Sequence, residues 1–393
     1  MKLLRIVRIL TFAMTGIFLL FQFVGAQALP EGEQPIGGTI PPNPPVLSNT
    51  DFECTTGYYT QTIAPGNVAH IPNDWQLALV KGTPIIHSAR IFFAGSCDGS
   101  AHVERISGID SIVVRAADIE TPPEPGKPFD VAFYQQISAT VGGDYSLSGW
   151  LLSLCGGSAT PSDCPEDVYI AKMLGIDPTG GIDPTANTVI WTENRRNFWE
   201  GERVGWQQLS VSVQAKAETM TVFARINSPH RWHGNHAFID ALSLVRAPSS
   251  ELLVPETVTG TAALLLWQGS MQPEITSQPG STHELRFDVQ MRHEATPTWQ
   301  DLVTDRNDTD STVFTANCIE TNYLFRIRAR AEQRDDVEGA WPNHRYHGLW
   351  SDPVPVYFVA PPVADSETMT PVTTPEEELF QLFLPILANQ KQC

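Results

Sequence analysis

His230, His233 and His236, in His-Arg-Trp-His-Gly-Asn-His, have the types and spacing of a metal-ligand set. Imidazole is a common zinc ligand, but the zinc-protease pattern His-Glu-x-x-His is absent. The stretch also holds a glycine between two strand-like segments, so it reads as a loop with exposed histidines. A second constellation suits carbohydrate, which needs flat aromatic faces for sugar rings and polar groups for hydroxyls. Trp75, Trp199 and Trp232 lie in Gly/Asn/Pro-rich surroundings, with Arg195, Arg196 and Arg231 close to two of them in sequence. Trp75, Trp199, Trp232, Arg195 and Arg231 are the candidate ligand-binding residues. Packing inward is the competing reading for each ring, and the functional one needs at least two on one face. Trp150, Trp191 and Trp206 sit at strand ends and are expected in the core. No Gly-x-Ser-x-Gly elbow, Glu-x-Asp-x-x-Glu glycosidase pattern or Gly-rich phosphate loop occurs, so no catalytic residue is assigned and no enzyme is expected.

The elements that must hold these residues are strands. Leu209, Val211, Val213 and Ala215 alternate with Gln208, Ser210, Ser212 and Gln214, and Met220, Val222, Ala224 and Ile226 alternate with Thr221, Phe223 and Arg225. Period two over such lengths predicts half-buried antiparallel strands, with Ala217-Glu218-Thr219 short enough for a hairpin between them. Leu285, Phe287, Val289 and Met291 repeat the pattern, as do Tyr323, Phe325, Ile327 and Ala329 against Leu324, Arg326, Arg328 and Arg330. No long amphipathic helix is evident. The fold class is all-β. Gly175-Ile-Asp-Pro-Thr-Gly-Gly-Ile-Asp-Pro-Thr185 reads as a turn-rich loop, because Gly and Pro set the backbone while Asp and Thr bond to it.

Lys2, Arg5 and Arg8 precede an apolar run from Ile9 to Val24 and small residues at Gly25, Ala26 and Ala28, the three-part pattern of a secretory signal. Cleavage after Ala26 is expected, with Ala28 as the second site and an uncleaved anchor as the competing reading. The chain is acidic, with a formal charge of -19, and the leader carries three cations and no acid. Such a surface repels phosphate backbones, so nucleic acid is not an expected partner. Six cysteines allow fifteen connectivities. Cys155 with Cys164, flanking a short flexible segment, and Cys54 with Cys97 are the expected disulfides; Cys318 and Cys393 are left unpaired. The expected order is a signal peptide over 1–26, a Pro-rich linker over 27–47, domains over 48–248 and 251–360, a Thr/Pro/Glu linker over 361–378 and a short apolar tail over 379–393.

Asn322-Tyr-Leu-Phe-Arg-Ile-Arg-Ala-Arg-Ala, Gly348-Leu-Trp-Ser-Asp, Trp267 and Trp299 resemble the fibronectin type III family across 251–360. That resemblance implies an immunoglobulin-like sandwich used as a spacer, with Trp267 in the core and the Tyr323 hydroxyl tying a corner. An insertion near 335–347, carrying Trp341, His344, Tyr346 and His347, departs from the family and could bind something. Asn49-Thr-Asp-Phe-Glu53, Tyr145-Ser-Leu-Ser-Gly-Trp150, Trp206-Gln-Gln-Leu-Ser and Ala237-Phe-Ile-Asp240 resemble carbohydrate-binding-module or galactose-binding-like jelly rolls of secreted bacterial proteins. This implies that the first and last strands pair, bringing Glu53 beside Asp240, where a structural Ca²⁺ would be held. The competing reading hydrogen-bonds an acid to turn amides. The function expected is a secreted or cell-surface, non-catalytic binding protein, its first sandwich taking glycan or a cell-surface protein. The alternative is a structural or adhesive envelope protein making protein–protein contacts. The tail, with Phe380, Phe383 and Leu384, is too short an apolar run to cross a bilayer and is a candidate for envelope association.

Overall fold

The computed structural model describes residues 45–362, apart from 98–103, 118–125, 155–167, 197–204, 233–234, 277–281, 308–309 and 334–341. The expectations for the leader, Cys155, Cys164, Trp199, His233, Trp341 and the C-terminal tail lie outside the described residues. All described residues fall in one compact unit.

The first sandwich contains β1 (Tyr58–Ala64), β2 (Asn67–Pro72), β3 (Gln76–Lys81), β4 (Ile85–Ser88), β5 (Ile112–Arg115), β6 (Phe129–Ser138), β7 (Asp144–Leu154), β8 (Ala171–Asp177), β9 (Ile190–Asn194), β10 (Gln207–Gln214), β11 (Thr219–Ser228) and β12 (His236–Arg246). β1 and β2 pair with each other; the rest form two five-stranded sheets, β10-β7-β12-β5-β4 and β3-β6-β11-β8-β9. Along β10, Leu209, Val211 and Val213 are buried while Ser210 and Ser212 are not, as the alternation predicts. These residues join Phe133, Leu147, Leu151, Leu174 and Val222 in one core between the sheets. Each such side chain contributes about 1.5–3 kcal/mol by leaving water. The Cys54–Cys97 disulfide, Cα atoms 5.7 Å apart, forms as expected. Cys318 is disulfide-bonded too, a correction to its expected free thiol.

Two expectations about pairing change. β10 and β11 belong to opposite sheets, so the segment between them is an arch rather than a hairpin turn. Strands on either side of one core show the same apolar period, so periodicity does not identify the pairing partner. β11 is also buried on both faces, with Phe223 packing against Tyr134 and Val189 outside the main core. Likewise β12 pairs with β5 and β7 rather than with an opening strand. The opening segment stays non-strand, although the Thr50 carbonyl accepts the Leu242 amide at 3.0 Å.

The second sandwich holds β13 (Ser249–Leu253), β14 (Thr257–Thr259), β15 (Ala262–Ser270), β16 (His283–His293), β17 (Gln300–Arg306), β18 (Ser311–Thr315), β19 (Thr321–Gln333), β20 (Tyr346–His347) and β21 (Val354–Val359). Its sheets run β13-β15-β18 and β14-β21-β19-β16-β17, with β20 on β19. Tyr323, Phe325, Ile327 and Ala329 are buried and the alternate residues of β19 are not. Trp267 packs in this core 6.4 Å from Phe287, and the Tyr323 hydroxyl accepts the Cys318 amide at 3.2 Å.

The described part of the insertion binds the first sandwich. β7 and β10 turn Ser146, Ser148, Ser210 and Ser212 outward, a small hydroxyl-bearing face that a loop can approach closely. The Asn343 carbonyl accepts Gln208 Nε2 at 2.7 Å, and the His347 amide donates to Ser146 Oγ at 3.1 Å. His344 Nδ1 lies 3.3 Å from Ser148 Oγ, and the Tyr346 hydroxyl 2.8 Å from Ser243 Oγ. Arg246 of β12 closes the joint by pairing with Glu274 of a one-turn helix, Pro273–Thr276.

Candidate functional site

Register places four connections at one end of the first sandwich. His236 sits opposite both Arg115 and Leu154, Ser228 opposite Phe129, and Lys172 opposite Asn194. The connections after β5, β7, β9 and β11 all leave from this end. Buried Lys172 donates through Nζ to Ser153 Oγ at 2.8 Å and to the Arg196 carbonyl at 2.6 Å, pinning the start of the β9–β10 connection. Arg195, 57 % exposed and paired with Glu193, lies 4.4 Å over the Tyr169 ring. His230 meets the same ring edge-on at 5.0 Å. Arg231 is exposed and Trp232 half-buried. The Trp232 carbonyl runs so close to Gly126 that a Cβ there would sit 2.7 Å from it.

The structure thus brings Arg195, Arg231 and Trp232 to one end of the sandwich, with Tyr169, which no motif in the sequence marks. Trp75 is a correction. It is 1 % exposed, packs 5.4 Å from Phe52 and donates its N–H to the Ser48 and Asn49 carbonyls. Its Asn-Asp-Trp setting resembles a surface turn, but the opening segment folds over it. His236 is a second correction, because it starts β12 and is buried against Phe238 rather than exposed in a loop. Trp150 and Trp206 are core residues as expected, whereas Trp191 is only half-buried.

Glu53 and Asp240 both hydrogen-bond one loop, 104–111, at different residues. A bulge between Asp240 and Ser243, with Ala241 at φ 48°, re-aims the Asp240 carboxylate. Oδ2 accepts the Ile106 and Ser107 amides at 2.8 and 2.9 Å, and Oδ1 the Ala241 amide at 2.7 Å. Glu53 Oε1 accepts the Ile109 amide at 2.8 Å. Glycine is required at 108, where a Cβ would lie 1.7 Å from that oxygen. Asp110 takes Ser88 Oγ and the Arg90 and Ser111 amides. Burial raises Asp51, Glu53 and Asp110 and lifts Asp240 well above the usual carboxylate range, where the charge on Asp51 adds to the effect. The buried Arg90 guanidinium is the nearby counter-charge, and it offsets part of the rise at Asp110. Carboxylate oxygens have the right chemistry for Ca²⁺. Their spacing is that of amide-bound acids, and among the described residues no group of three His, Cys, Asp or Glu is arranged to hold an ion.

The second sandwich treats charge differently. On the outer face of β16 and β19, the Arg326 guanidinium lies 4.2 Å from Trp299 and 4.5 Å from Trp350, and Arg328 lies 4.7 Å from Trp350. Asp288 accepts from Arg328 and Arg330, and Asp305 from Arg286 and Arg330. Burial would push Asp288 up, but the Arg328 hydrogen bond, the Asp305 amide and the arginine charges outweigh it and hold the carboxyl below its ordinary value.

No protein-family model matches the chain, and no curated protein matches it. Among solved structures it is similar to TmCBM61 in complex with beta-1,4-galactotriose, at 14% identity and TM-score 0.30, over 51% of this chain and 97% of that one. It is similar to a cleaved adhesin domain of Lys-gingipain from Porphyromonas gingivalis W83, at 12% identity and TM-score 0.30, over 45% and 92% of the two chains. The adhesin domain of Epf from Streptococcus pyogenes is similar at 12% identity and TM-score 0.21, over 65% of this chain and 79% of that one.

Proposed function

We propose that this is an exported, non-catalytic binding protein whose first sandwich takes a glycan or another surface ligand at its loop end. The second sandwich is read as a fibronectin type III-like spacer, which the buried Trp267 and the Tyr323 corner support. The observation that carries the functional reading is the gathering of Tyr169, Arg195, Arg231 and Trp232 where four connections emerge. The second sandwich packs on one outer face of the first, and Ala186 and Val189 pack on Phe223 at the other, which leaves the loop end open as a recognition surface. A structural Ca²⁺ at Glu53 and Asp240 belongs to this proposal, as a brace for loop 104–111 rather than a ligand contact.

The test is a glycan-array and insoluble-polysaccharide screen of the full chain, with and without EDTA. Saturable binding that weakens about tenfold in Arg195→Ala and Trp232→Ala is expected, since stacking and charged hydrogen bonds each contribute about 1–3 kcal/mol. A folded protein that binds no glycan sinks the glycan reading. The adhesive reading has its own support in an exposed apolar patch on β13, β15 and β18. There Leu264 pairs with Val313 and Leu253 with Leu266, at 53%, 63%, 45% and 41% exposure.

A further inference from the structure

Between the sandwiches runs an open groove of ≈ 300 Å³, bordered by Trp191 and Thr192 of β9, Ser210 of β10, Arg328 of β19, and Trp350 beyond β20. That is the small end of the ~300–1,000 Å³ typical of ligand pockets, suited to a sugar ring or two rather than a long chain. Its walls are rich in donors. Arg328 gives Nε and Nη2 to one oxygen of Asp288, at 3.1 and 2.8 Å, and among the described residues its Nη1 has no acceptor. The same holds for the indole N–H groups of Trp191 and Trp350. Indole and guanidinium can only donate, so this surplus calls for an acceptor-rich ligand.

The charge around the groove points the same way. Arg326, wedged between Trp299 and Trp350, gives its N–H groups to the neutral Gln290 Oε1 at 2.9 and 2.6 Å. Arg292 lies 5.1 Å from Trp299 and donates to the Thr296 carbonyl. Neither guanidinium has an acidic partner among the described residues. A chain of net charge -19 therefore keeps a cationic strip beside this groove. A planar carboxylate matches the free edge of a guanidinium and the indole donors together.

We propose that the groove binds a carboxylate-bearing saccharide, a uronic acid residue, with its carboxylate on Arg328 and its hydroxyls on Thr192 and Ser210. This goes beyond the loop-end reading, because the site exists only where both sandwiches meet. Elsewhere the acidic surface repels polyanions, so the interaction is confined to the strip and weakens with salt.

The experiment is calorimetric titration of the full chain with oligogalacturonate and with the same oligomer methyl-esterified, which removes the charge at the cost of one added methyl group per residue. The acid is expected to bind at least about tenfold more tightly than the ester. Trp350→Phe keeps an aromatic ring between the guanidiniums, removes the N–H, and is expected to weaken acid binding about tenfold. Ser210→Tyr fills the groove and abolishes it, while Val68→Thr on the exposed side of β2, outside the groove lining, leaves it unchanged; thermal midpoints establish that each variant is folded. Equal affinity for acid and ester, no binding of the acid, or wild-type affinity in both groove variants overturns the proposal. Loss in Arg195→Ala alone would move the acid to the loop end and also overturn it, leaving the loop-end glycan reading standing. Neutral glycans bound without any uronate binding would separate the two readings in the same way.

Discussion

Each sandwich buries charged side chains, and each solves the problem differently. In the first, Glu53 and Asp240 lean on backbone amides, Asp51 on the Ser107 side chain, and Asp110 on Ser88, two amides and the charge of Arg90, and burial leaves all four with raised proton affinity. In the second, Asp288 and Asp305 are interleaved with Arg286, Arg328 and Arg330, and Asp288 is held below its ordinary range. Amides satisfy hydrogen bonds without cancelling charge; guanidiniums do both. The first cluster is therefore held chiefly by amides and keeps its carboxylates proton-hungry, whereas the second balances carboxylate with guanidinium.

The largest effect expected from this contrast is in paired substitutions. Asp288→Asn leaves Arg328 and Arg330 short of a counter-charge in a half-buried network and is expected to cost about 3–5 kcal/mol. Asp240→Asn gives up part of an amide-binding carboxylate but also relieves a buried charge, and is expected to cost only about 1–2 kcal/mol. Urea unfolding of the two variants compares them directly. An Asp240 variant as damaged as the Asp288 one would show that the amides compensate the charge after all.

A middle-sized effect is expected from pH. Burial, followed by the charge of His283, holds His344 at about 3, and burial with the Arg328 and Arg330 guanidiniums holds His347 at about 4. An unfolded histidine takes its proton near pH ~6.5, so below that value the unfolded chain binds more protons than the folded one. Stability at the joint between the sandwiches is thus lost as pH falls from there towards the folded values. The raised carboxylates run oppositely: their contribution is fullest in acid and is lost as pH rises through their folded pKa values. Protection against hydrogen exchange over 344–347, corrected for the intrinsic exchange rate at each pH, should fall on acidification, and His344→Gln should flatten the acid limb of the thermal midpoint. An unchanged slope in that variant would place the acid sensitivity elsewhere.

The smallest effect is that of calcium. Added Ca²⁺ is expected to raise the thermal midpoint by a few degrees, corresponding to roughly 1 kcal/mol. The shift should vanish in Glu53→Gln and persist in Asp305→Asn. A calcium response that survives Glu53→Gln, or none at all in the wild type, removes the ion from the first cluster.

The sequence shows its strands most clearly where one face is wet. The alternation of β19 survives intact in the burial of Tyr323, Phe325, Ile327 and Ala329. Glu53 and Asp240 were legible as acids of one end of the chain's first sandwich, but their shared hold on the amides of loop 104–111 was not. What could not be read is whatever needs a partner from far along the chain. Trp75 sits in a turn-like setting, and only the fold of 48–52 over its ring makes it core. Trp191 looks like another strand-end tryptophan until Arg328 and Trp350 of the second sandwich arrive across the groove. The insertion shows histidines and aromatics, but not that serines on β7 and β10 are waiting for them.

The arch between β10 and β11 has a kinetic consequence. Because those neighbours in sequence do not pair, β11 must find β6, where Phe129 meets Ser228, and β12 must find β7, where Leu154 meets His236. Closing such distant pairings spends chain entropy before any contact repays it, so the first sandwich is a high-contact-order fold. Its rate of formation should be limited by this search, and the chain should remain open until residues as far along as 246 are available.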